Sequence, residues 1–224
     1  MPGKIDAYVD CVSPYSYYAT LYLRKHRKAL ESHGVEIEFH PVFLGGMNNL
    51  RTGNKPPWTL PAKAAYSKFD TERACKYFGV PQIQTPKFFP ILSIVVSYSL
   101  GLQPISSSLM NQPQRCMIYI KSHFSREKYE TTFLSLWEWM YYKNIDISKP
   151  ERLAELLQSN EYSDSEIKEI LAAASSSEFK QALTANTQIA LDKGAYGAPW
   201  FWVRNSARKE EPFFGCDRYA IYRC

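Results

Sequence analysis

Residues 5–39 constrain the fold more strongly than any other stretch of the chain. Residues 5–9 alternate between apolar and other side chains, which predicts a β-strand. Apolar residues then recur at helical spacing from about residue 15 to residue 32, and Gly34 suits the left-handed position that ends a helix. Residues 35–39 alternate again and predict a second strand. Together they form a βαβ unit, in which we expect parallel strands and a right-handed crossover.

The sequence Ser-Pro-Tyr-Ser (residues 13–16) lies where the first strand meets the helix. Thiol redox proteins place Cys-x-x-Cys at such a turn, but both outer positions are serine here. The first N–H groups of a helix lack intrahelical partners and carry the positive end of the helix dipole, so they stabilise an anion. Ser13 cannot do redox chemistry, but its hydroxyl can donate a hydrogen bond to a thiolate that a ligand brings in. The alternative is that Ser13 only caps the helix.

A loop and then a series of helices are predicted for the middle of the chain. The segment HPVFLGGMNNLRTGNKPPWTLP (40–61) is rich in Gly, Asn and Pro and is predicted to be a long loop, of the kind that is often functional. Helical spacing dominates from there to residue 193, and Tyr66, Phe69, Ala74 and Tyr77 are predicted to share one helix face. Two capping boxes are predicted to open late helices, Ser163 with Glu166 and Ser175 with Glu178.

Strand patterns return only near the end of the chain. PWFWV (199–203) and PFF (212–214) are predicted strands separated by a polar turn, and Asp217 is a predicted N-cap of a final helix. This order of elements indicates an α/β protein with a thioredoxin-like fold and an inserted all-helical domain. The predicted division is into a thioredoxin-like domain, residues 1–57 with 176–224, and a helical insertion domain, residues 58–175.

Composition excludes several classes of protein. The chain has 224 residues, of which 45% are hydrophobic, so a sizeable core is expected. The net charge of +5 is mild and no basic block is present, which argues against a nucleic-acid partner. No apolar run approaches the ~20 residues that span a membrane, so no membrane partner is expected.

The cysteines indicate a reducing compartment. There are five, no two are spaced Cys-x-x-Cys, and an odd count argues against a disulfide framework or a structural zinc site. Cys11 lies two residues before Ser13 and is a rival thiol, although a packing role is favoured because no resolving partner is spaced with it. With no signal-like N-terminus and no Ser-Lys-Leu ending, we expect an intracellular protein, cytoplasmic first, with a mitochondrial or peroxisomal location left open.

The stretch YGAPWFW (196–202) indicates a second element of a site. A proline that directly precedes a strand suits the loop that faces the first helix in thioredoxin-like folds, where the Ala198–Pro199 bond would be cis. The N–H and C=O of Ala198 would then be exposed for antiparallel pairing with an extended peptide. The alternative is an ordinary proline at the start of a strand.

Five blocks of the sequence, in this order and spacing, resemble the kappa-class glutathione transferases and the related 2-hydroxychromene-2-carboxylate isomerases, within the DsbA-like thioredoxin folds. The resemblance is spread over nearly the whole chain. The blocks are VSPYS (12–16), GNKPP (53–57), LPAKAAY (60–66), YGAPWFWV (196–203) and FFGCDR (213–218).

The resemblance implies glutathione as the bound thiol and Ser13 as the catalytic hydroxyl beside its sulfur. The match also implies that the main chain of Ala198, before Pro199, pairs with the cysteinyl part of glutathione. The bound thiolate would then attack a small apolar electrophile. The resemblance also implies that the protein is a homodimer. A glutathione-dependent isomerase acting on an unsaturated carbonyl or chromene-type substrate is the alternative, and a non-catalytic carrier or a redox protein using Cys11 is a third.

The resemblance also assigns residues to the two ends of glutathione. Asn54 and Lys63 match residues that hold the glycyl end or line the site, and Lys63 supplies a cation for its carboxylate. Cys216 and Asp217 match the pair that holds the γ-glutamyl end, where Asp217 can pair with the ammonium. Two positions depart from the family pattern. Cys216 stands where a small polar residue is usual, and Trp200 stands where a smaller residue is usual.

Overall fold

The computed structural model describes residues 2–50, 60–88 and 107–216 of the chain. None of the described helices is long and apolar enough to cross a membrane. The strands are β1 (Gly3–Val9), β2 (Val35–Pro41), β3 (Trp200–Arg204) and β4 (Glu210–Phe214). The helices are α1 (Pro14–Ser32), α2 (Leu44–Leu50), α3 (Pro61–Phe78), α4 (Ser107–His123), α5 (Arg126–Tyr141), α6 (Pro150–Ser159), α7 (Asp164–Ser175) and α8 (Ser177–Asp192).

The four strands form one mixed sheet in the order β2-β1-β3-β4. Strands β1 and β2 are parallel, as the βαβ prediction requires, and Ile5 lies opposite Ile37. Strand β3 runs antiparallel to β1, with Tyr8 opposite Trp200, and β4 runs antiparallel to β3. The central pairing of β1 with β3 therefore brings the first and last parts of the chain together.

Helix α1 covers one face of the sheet. It begins with Ser13 as N-cap and Pro14 in the first turn, where a proline needs no N–H partner. It ends before Gly34, whose φ of 72° is the left-handed conformation that glycine adopts without strain. Tyr18 and Leu23 bury their side chains beneath the helix.

Helix α2 corrects the prediction of a continuous loop between residues 40 and 61. Residues 44–50 are helical in spite of two glycines. A Cβ at Gly45 would lie 2.6 Å from the Phe43 ring, and one at Gly46 would lie 2.8 Å from it. The glycines are therefore explained by the close approach of this ring. They do not mark a loop.

The other face of the sheet is covered at one end by an apolar cluster. Tyr8 and Trp200 from the sheet pack with Met47 from α2 and with Leu191 from α8. The residue that precedes α2 is bonded to α8, because the Phe43 N–H donates to Thr187 Oγ1 at 3.0 Å. Trp200 is thus a core residue, since only 5% of its surface is exposed.

The helices α4 to α7 have a core of their own. Phe133 and Trp137 stack with ring centroids 4.7 Å apart, and both are fully buried. The capping box of Ser163 with Glu166 is confirmed at the start of α7. The second predicted box is wrong. Ser175 belongs to α7, and the Phe179 N–H at the start of α8 bonds to Ser176 Oγ at 3.4 Å.

The described residues form two compact units. One comprises residues up to Ile83 and from Ala185 onward, and the other runs from Gln84 to Thr184. The first unit contains α3, which the sequence division assigned to the helical insertion. The predicted domain limits, 1–57 with 176–224 and 58–175, stay a prediction. The aromatic residues of α3 that were predicted to share a face, Tyr66, Phe69 and Tyr77, are all more than half exposed.

An ion-pair network lies on the strand face that bears Tyr8. Lys4 Nζ lies 3.1 Å from Asp6 Oδ1 and 2.6 Å from Glu38 Oε2, and His40 Nε2 lies 2.8 Å from Asp6 Oδ1. Burial opposes ionisation of Asp6, but the bonds to His40 and Lys4 outweigh it and lower its pKa from 3.8 to about 2. Asp6, Glu38 and His40 could offer ligand atoms to a metal. The Lys4 ammonium already bonds to both carboxylates, so we assign no metal there.

Replacing Asp6 by asparagine should lower the free energy of unfolding by about 1 kcal/mol at pH 7, a screened value for a pair near the surface. A lowered carboxyl pKa stabilises the fold above the unfolded-state pKa, and this contribution is lost as the pH falls through the folded-state pKa. The difference between parent and Asp6→Asn in urea unfolding should therefore shrink below pH 4 and vanish only below pH 2. A difference that persists at about pH 1 would contradict the ion-pair explanation.

Candidate functional site

Both serines of the Ser-Pro-Tyr-Ser turn are buried and bonded within it. Ser13 Oγ accepts a hydrogen bond from the Ser16 N–H at 3.2 Å, which makes Ser13 the N-cap of α1. Ser16 Oγ accepts from the Asp10 N–H at 3.4 Å, and the Ser13 N–H donates to the Asp10 carbonyl at 3.0 Å. Ser13 therefore caps the helix, which is compatible with both alternatives, and the cap leaves the hydroxyl proton of Ser13 free to serve another acceptor.

That acceptor is the carbonyl of Ala198. Ser13 Oγ donates to it at 3.1 Å, across 185 residues of sequence. The Ala198–Pro199 peptide bond is cis, as the sequence predicted. The structure therefore brings together the two separate elements on which the site prediction depended, the helix N-terminus and the proline loop.

The residues that follow β4 lie beside the cis-proline loop. The Gly215 N–H donates to the Pro199 carbonyl at 3.2 Å, so the residue that follows, Cys216, is held next to the proline loop. Cys216 is buried, and its thiol lies near enough to Tyr15 to contribute to raising the pKa of that phenol. Asp217 and Asn54 lie outside the described residues.

Helix α3 is fixed to the turn through Tyr15. The Tyr15 hydroxyl donates to Asp70 Oδ2 at 2.6 Å. Burial first, and then Asp70, raise the pKa of Tyr15, so it stays a proton donor at neutral pH. Lys63 lies seven residues before Asp70, two helical turns, and therefore on the same face of α3. Its side chain is exposed, and none of the described residues pairs with it.

An aromatic edge borders the proline loop. The Tyr196 ring lies 4.5 Å from the Phe214 ring and 5.4 Å from the Trp200 ring, and Tyr196 is 44% exposed. A Cβ at Gly197 would lie 2.9 Å from Phe214, so Phe214 packs directly on the backbone beside Ala198. This edge offers apolar surface next to the predicted site.

The rival thiol, Cys11, is fully buried, and it donates a hydrogen bond to the carboxyl of Asp10. A buried thiol with an internal partner cannot meet a substrate without local unfolding. The structure thus supports the packing role that the sequence favoured for Cys11.

Sequence reasoning did not select Asp10, Asp70 or the edge formed by Tyr196 and Phe214 as site features. A signal was present for Asp10, because it is a charged residue placed between an apolar strand and the Ser-Pro-Tyr-Ser turn. No comparable signal exists for Asp70. Its partner lies 55 residues away and depends on how α3 packs.

A mixed sheet in which a helix N-terminus meets a cis-proline loop defines a thioredoxin-like protein, here with serines in place of the two thiols. The chain belongs to the DsbA-like thioredoxin domain family, whose model matches residues 4–223. The predicted fold is thereby confirmed.

Known proteins also confirm the resemblance drawn from the sequence blocks. The chain is 29% identical over 219 residues to glutathione S-transferase kappa 1 of Caenorhabditis elegans, covering 97% of this chain and 88% of that one. Among solved structures it is similar to a 2-hydroxychromene-2-carboxylate isomerase, with a TM-score of 0.72, 17% identity, and 98% and 92% of the two chains covered. It is also similar to the cytosolic disulfide reductase DsbM of Pseudomonas aeruginosa with GSH, with a TM-score of 0.58, 15% identity, and 94% and 89% covered.

The Tyr15–Asp70 hydrogen bond should be measurable as a coupling between the two residues. In a double-mutant cycle of Tyr15→Phe and Asp70→Asn, we expect an interaction free energy of about 1 kcal/mol in urea unfolding, because the acceptor is charged but partly exposed. The two single variants are the matched controls. Strictly additive effects would show that α3 is held to α1 by apolar packing alone.

Proposed function

We propose that this protein binds glutathione and transfers its thiolate to a small apolar electrophile. The observation that carries the proposal is the hydrogen bond from Ser13 Oγ to the Ala198 carbonyl. This bond joins a hydroxyl donor at a helix N-terminus to the main chain of the cis-proline loop. The kappa-class relative of similar length supports glutathione as the thiol that occupies this point.

The contacts of the site suggest how the tripeptide is held. The cysteinyl part pairs with the main chain of Ala198, which places its sulfur beside Ser13. The γ-glutamyl ammonium binds Asp217, and the Cys216 main chain lies next to it. The glycyl carboxylate binds Lys63, the exposed cation on the side of α3 that faces Tyr15, with Asn54 nearby in this proposal.

The Ser13 hydroxyl is arranged to donate to the bound sulfur. Its oxygen is held in place because it accepts the Ser16 N–H. Its proton points to the Ala198 carbonyl, and it can turn to a sulfur by rotation about the C–O bond without movement of the oxygen. A thiol pKa of about 8.5 leaves little thiolate at neutral pH, and the helix N-terminus together with a hydroxyl donor lowers that value.

In the transfer reaction the thiolate attacks the electrophilic carbon, a carbon–sulfur bond forms, and the product is a thioether. The isomerase alternative uses the same thiolate. It adds to an unsaturated carbonyl, a bond rotates or a ring opens, and the sulfur is expelled unchanged. The structural similarity to 2-hydroxychromene-2-carboxylate isomerase supports this second candidate. In both, the aromatic edge of Tyr196 and Phe214 offers an apolar surface for the second substrate.

The remaining parts of the proposal come from the resemblance. We propose a homodimer, which sedimentation equilibrium can test, and an intracellular location. A redox mechanism through Cys11 is not favoured, since that thiol is fully buried and bonded to Asp10.

Glutathione should raise the melting temperature of the protein. A ligand at a hundred times its dissociation constant adds about 2.7 kcal/mol to stability. Incubation with glutathione, a panel of apolar electrophiles and a panel of cis-enones, followed by mass spectrometry, separates the two reactions. A product heavier by one glutathione identifies a transferase, and a rearranged product of unchanged mass identifies an isomerase. No thermal shift at millimolar glutathione would contradict the proposal.

Replacing Ser13 by alanine should raise the pKa of the bound thiol by about one to two units, since a hydrogen bond to a charged acceptor contributes about 1.5–3 kcal/mol. Turnover near pH 7 should fall accordingly, while glutathione affinity at pH values where the thiol form binds changes less. The measurement is ultraviolet thiolate absorbance of the complex against pH.

The matched control for this variant is Ser125→Ala. Ser125 caps α5 by accepting the Lys128 N–H at 3.2 Å, in the same way that Ser13 caps α1. Both variants should lose about 1 kcal/mol of stability through the missing cap. Only Ser13→Ala should move the thiolate titration. Superimposable titration curves for parent and Ser13→Ala would leave Ser13 as a cap and nothing more.

A further inference from the structure

Asp10 is the hydrogen-bonding centre of the turn that carries Ser13. It follows directly after β1, and its main chain bonds to both serines of the turn, Ser13 through its carbonyl and Ser16 through its N–H. Its carboxylate accepts the Val12 N–H on Oδ1 at 3.0 Å and the Leu44 N–H on Oδ2 at 2.7 Å. Four polar groups of one residue thus fix the turn and join it to the start of α2.

The Asp10 carboxylate is buried, and a buried charge is costly unless hydrogen bonds compensate for the lost water. Only 3% of the residue is exposed. Burial raises the carboxyl pKa to about 6, although the bonds from the main chain of Val12 and Leu44 and from the Cys11 thiol act in the opposite direction. Cys11 is the titratable side chain that touches it. At neutral pH the group is an anion held by main-chain N–H donors.

An ionised carboxylate suits this position better than any neutral group of its size. It presents acceptor lone pairs on both oxygens, so it accepts from two N–H groups that lie on opposite sides. An asparagine accepts on one side only, and its NH₂ group would face the second N–H. Protonation of Asp10 places a hydrogen on one of the two oxygens and weakens one of the two bonds in the same way.

We propose that Asp10 is a positioning residue for the glutathione reaction, and that its ionised carboxylate holds Ser13 where its hydroxyl reaches the bound sulfur. The inference rests on the proposed function of Ser13. It goes beyond that function because Asp10 touches neither substrate and acts through the main chain of the turn. Its second bond, to Leu44, ties the same turn to α2, the helix that leads into the segment bearing Asn54.

The proposal implies a characteristic pH dependence. The ratio kcat/KM reports the ionisation of the free enzyme and free substrate. The glutathione thiol must lose a proton, which gives a slope of one in log kcat/KM below pH ~8.5. Full activity also requires ionised Asp10, so the slope should rise above one just below about pH 6, where log kcat/KM loses about one further unit in all.

The decisive variant is Asp10→Asn, which is neutral at every pH. We expect its kcat at pH 7 to be about tenfold below that of the parent, with a change of less than about threefold in KM for glutathione, because a displaced catalytic group affects the chemical step. Its slope should stay at one down to pH 5. A slope that rises above one below pH 6 in Asp10→Asn, or an unchanged kcat, would overturn the proposal.

Asp6→Asn is the matched control. Asp6 lies on the same strand and undergoes the same chemical change, but it bonds to Lys4 and His40, away from the turn. This variant should keep the parent kcat and the steeper slope just below pH 6. If both variants lose kcat equally, general destabilisation explains the result and Asp10 has no positioning role.

An NMR titration of the parent protein tests the proposal without a variant, and so does not depend on whether Asp10→Asn folds. The Ser13 amide donates to the Asp10 carbonyl, so its ¹⁵N–¹H chemical shift should titrate with an inflection near pH 6. The Ser125 amide, at the start of a different helix, should not. This titration needs no glutathione, so it tests whether the Asp10 carboxylate positions the turn even if the proposed function fails. A flat Ser13 titration would overturn the role of Asp10 whether or not glutathione binds.

Discussion

The antiparallel pairing of β1 with β3 in the middle of the sheet is the constraint on which the site depends. With Tyr8 opposite Trp200, the residues that follow β1 and the residues that precede β3 emerge at the same edge. Ser13 and Ala198 consequently meet through a 3.1 Å hydrogen bond although they are distant in sequence. A one-residue change of register would move every β1 side chain to the opposite face and would separate these two groups.

The two aspartates Asp6 and Asp10 show how strongly the surroundings of a carboxyl group determine its pKa. Asp6 lies within β1, and Asp10 follows directly after the strand. Asp6 bonds to Lys4 and His40, which lowers its pKa to about 2. Asp10 is buried among main-chain N–H donors, and its pKa rises to about 6. Asp6 stabilises the fold as part of an ion pair, and Asp10 places a titratable group within the turn that carries Ser13.

Serine in place of cysteine changes what the helix N-terminus can do. A cysteine there would itself be the thiolate and would exchange with disulfides. Ser13 keeps the capping hydrogen bond, and its hydroxyl can also donate a hydrogen bond to a thiolate on a bound ligand. Ser16, at the position of the second cysteine in redox relatives, bonds inward to the Asp10 main chain. In the proposed function, the turn receives a sulfur from outside the protein.

The sequence by itself determined the strands, α1, the cis-proline loop and the family, because alternation, capping residues and the residues around Pro199 are local signals. It misplaced α2, since the reason for Gly45 and Gly46 is the Phe43 ring packed against them. It also assigned the aromatic residues of α3 to one face without showing that the face is exposed. Only the tertiary structure paired Ser13 with Ala198 and Tyr15 with Asp70, and only it buried Asp10. Each of these depends on groups that packing brings together from distant parts of the chain, and local patterns carry no information on such distances.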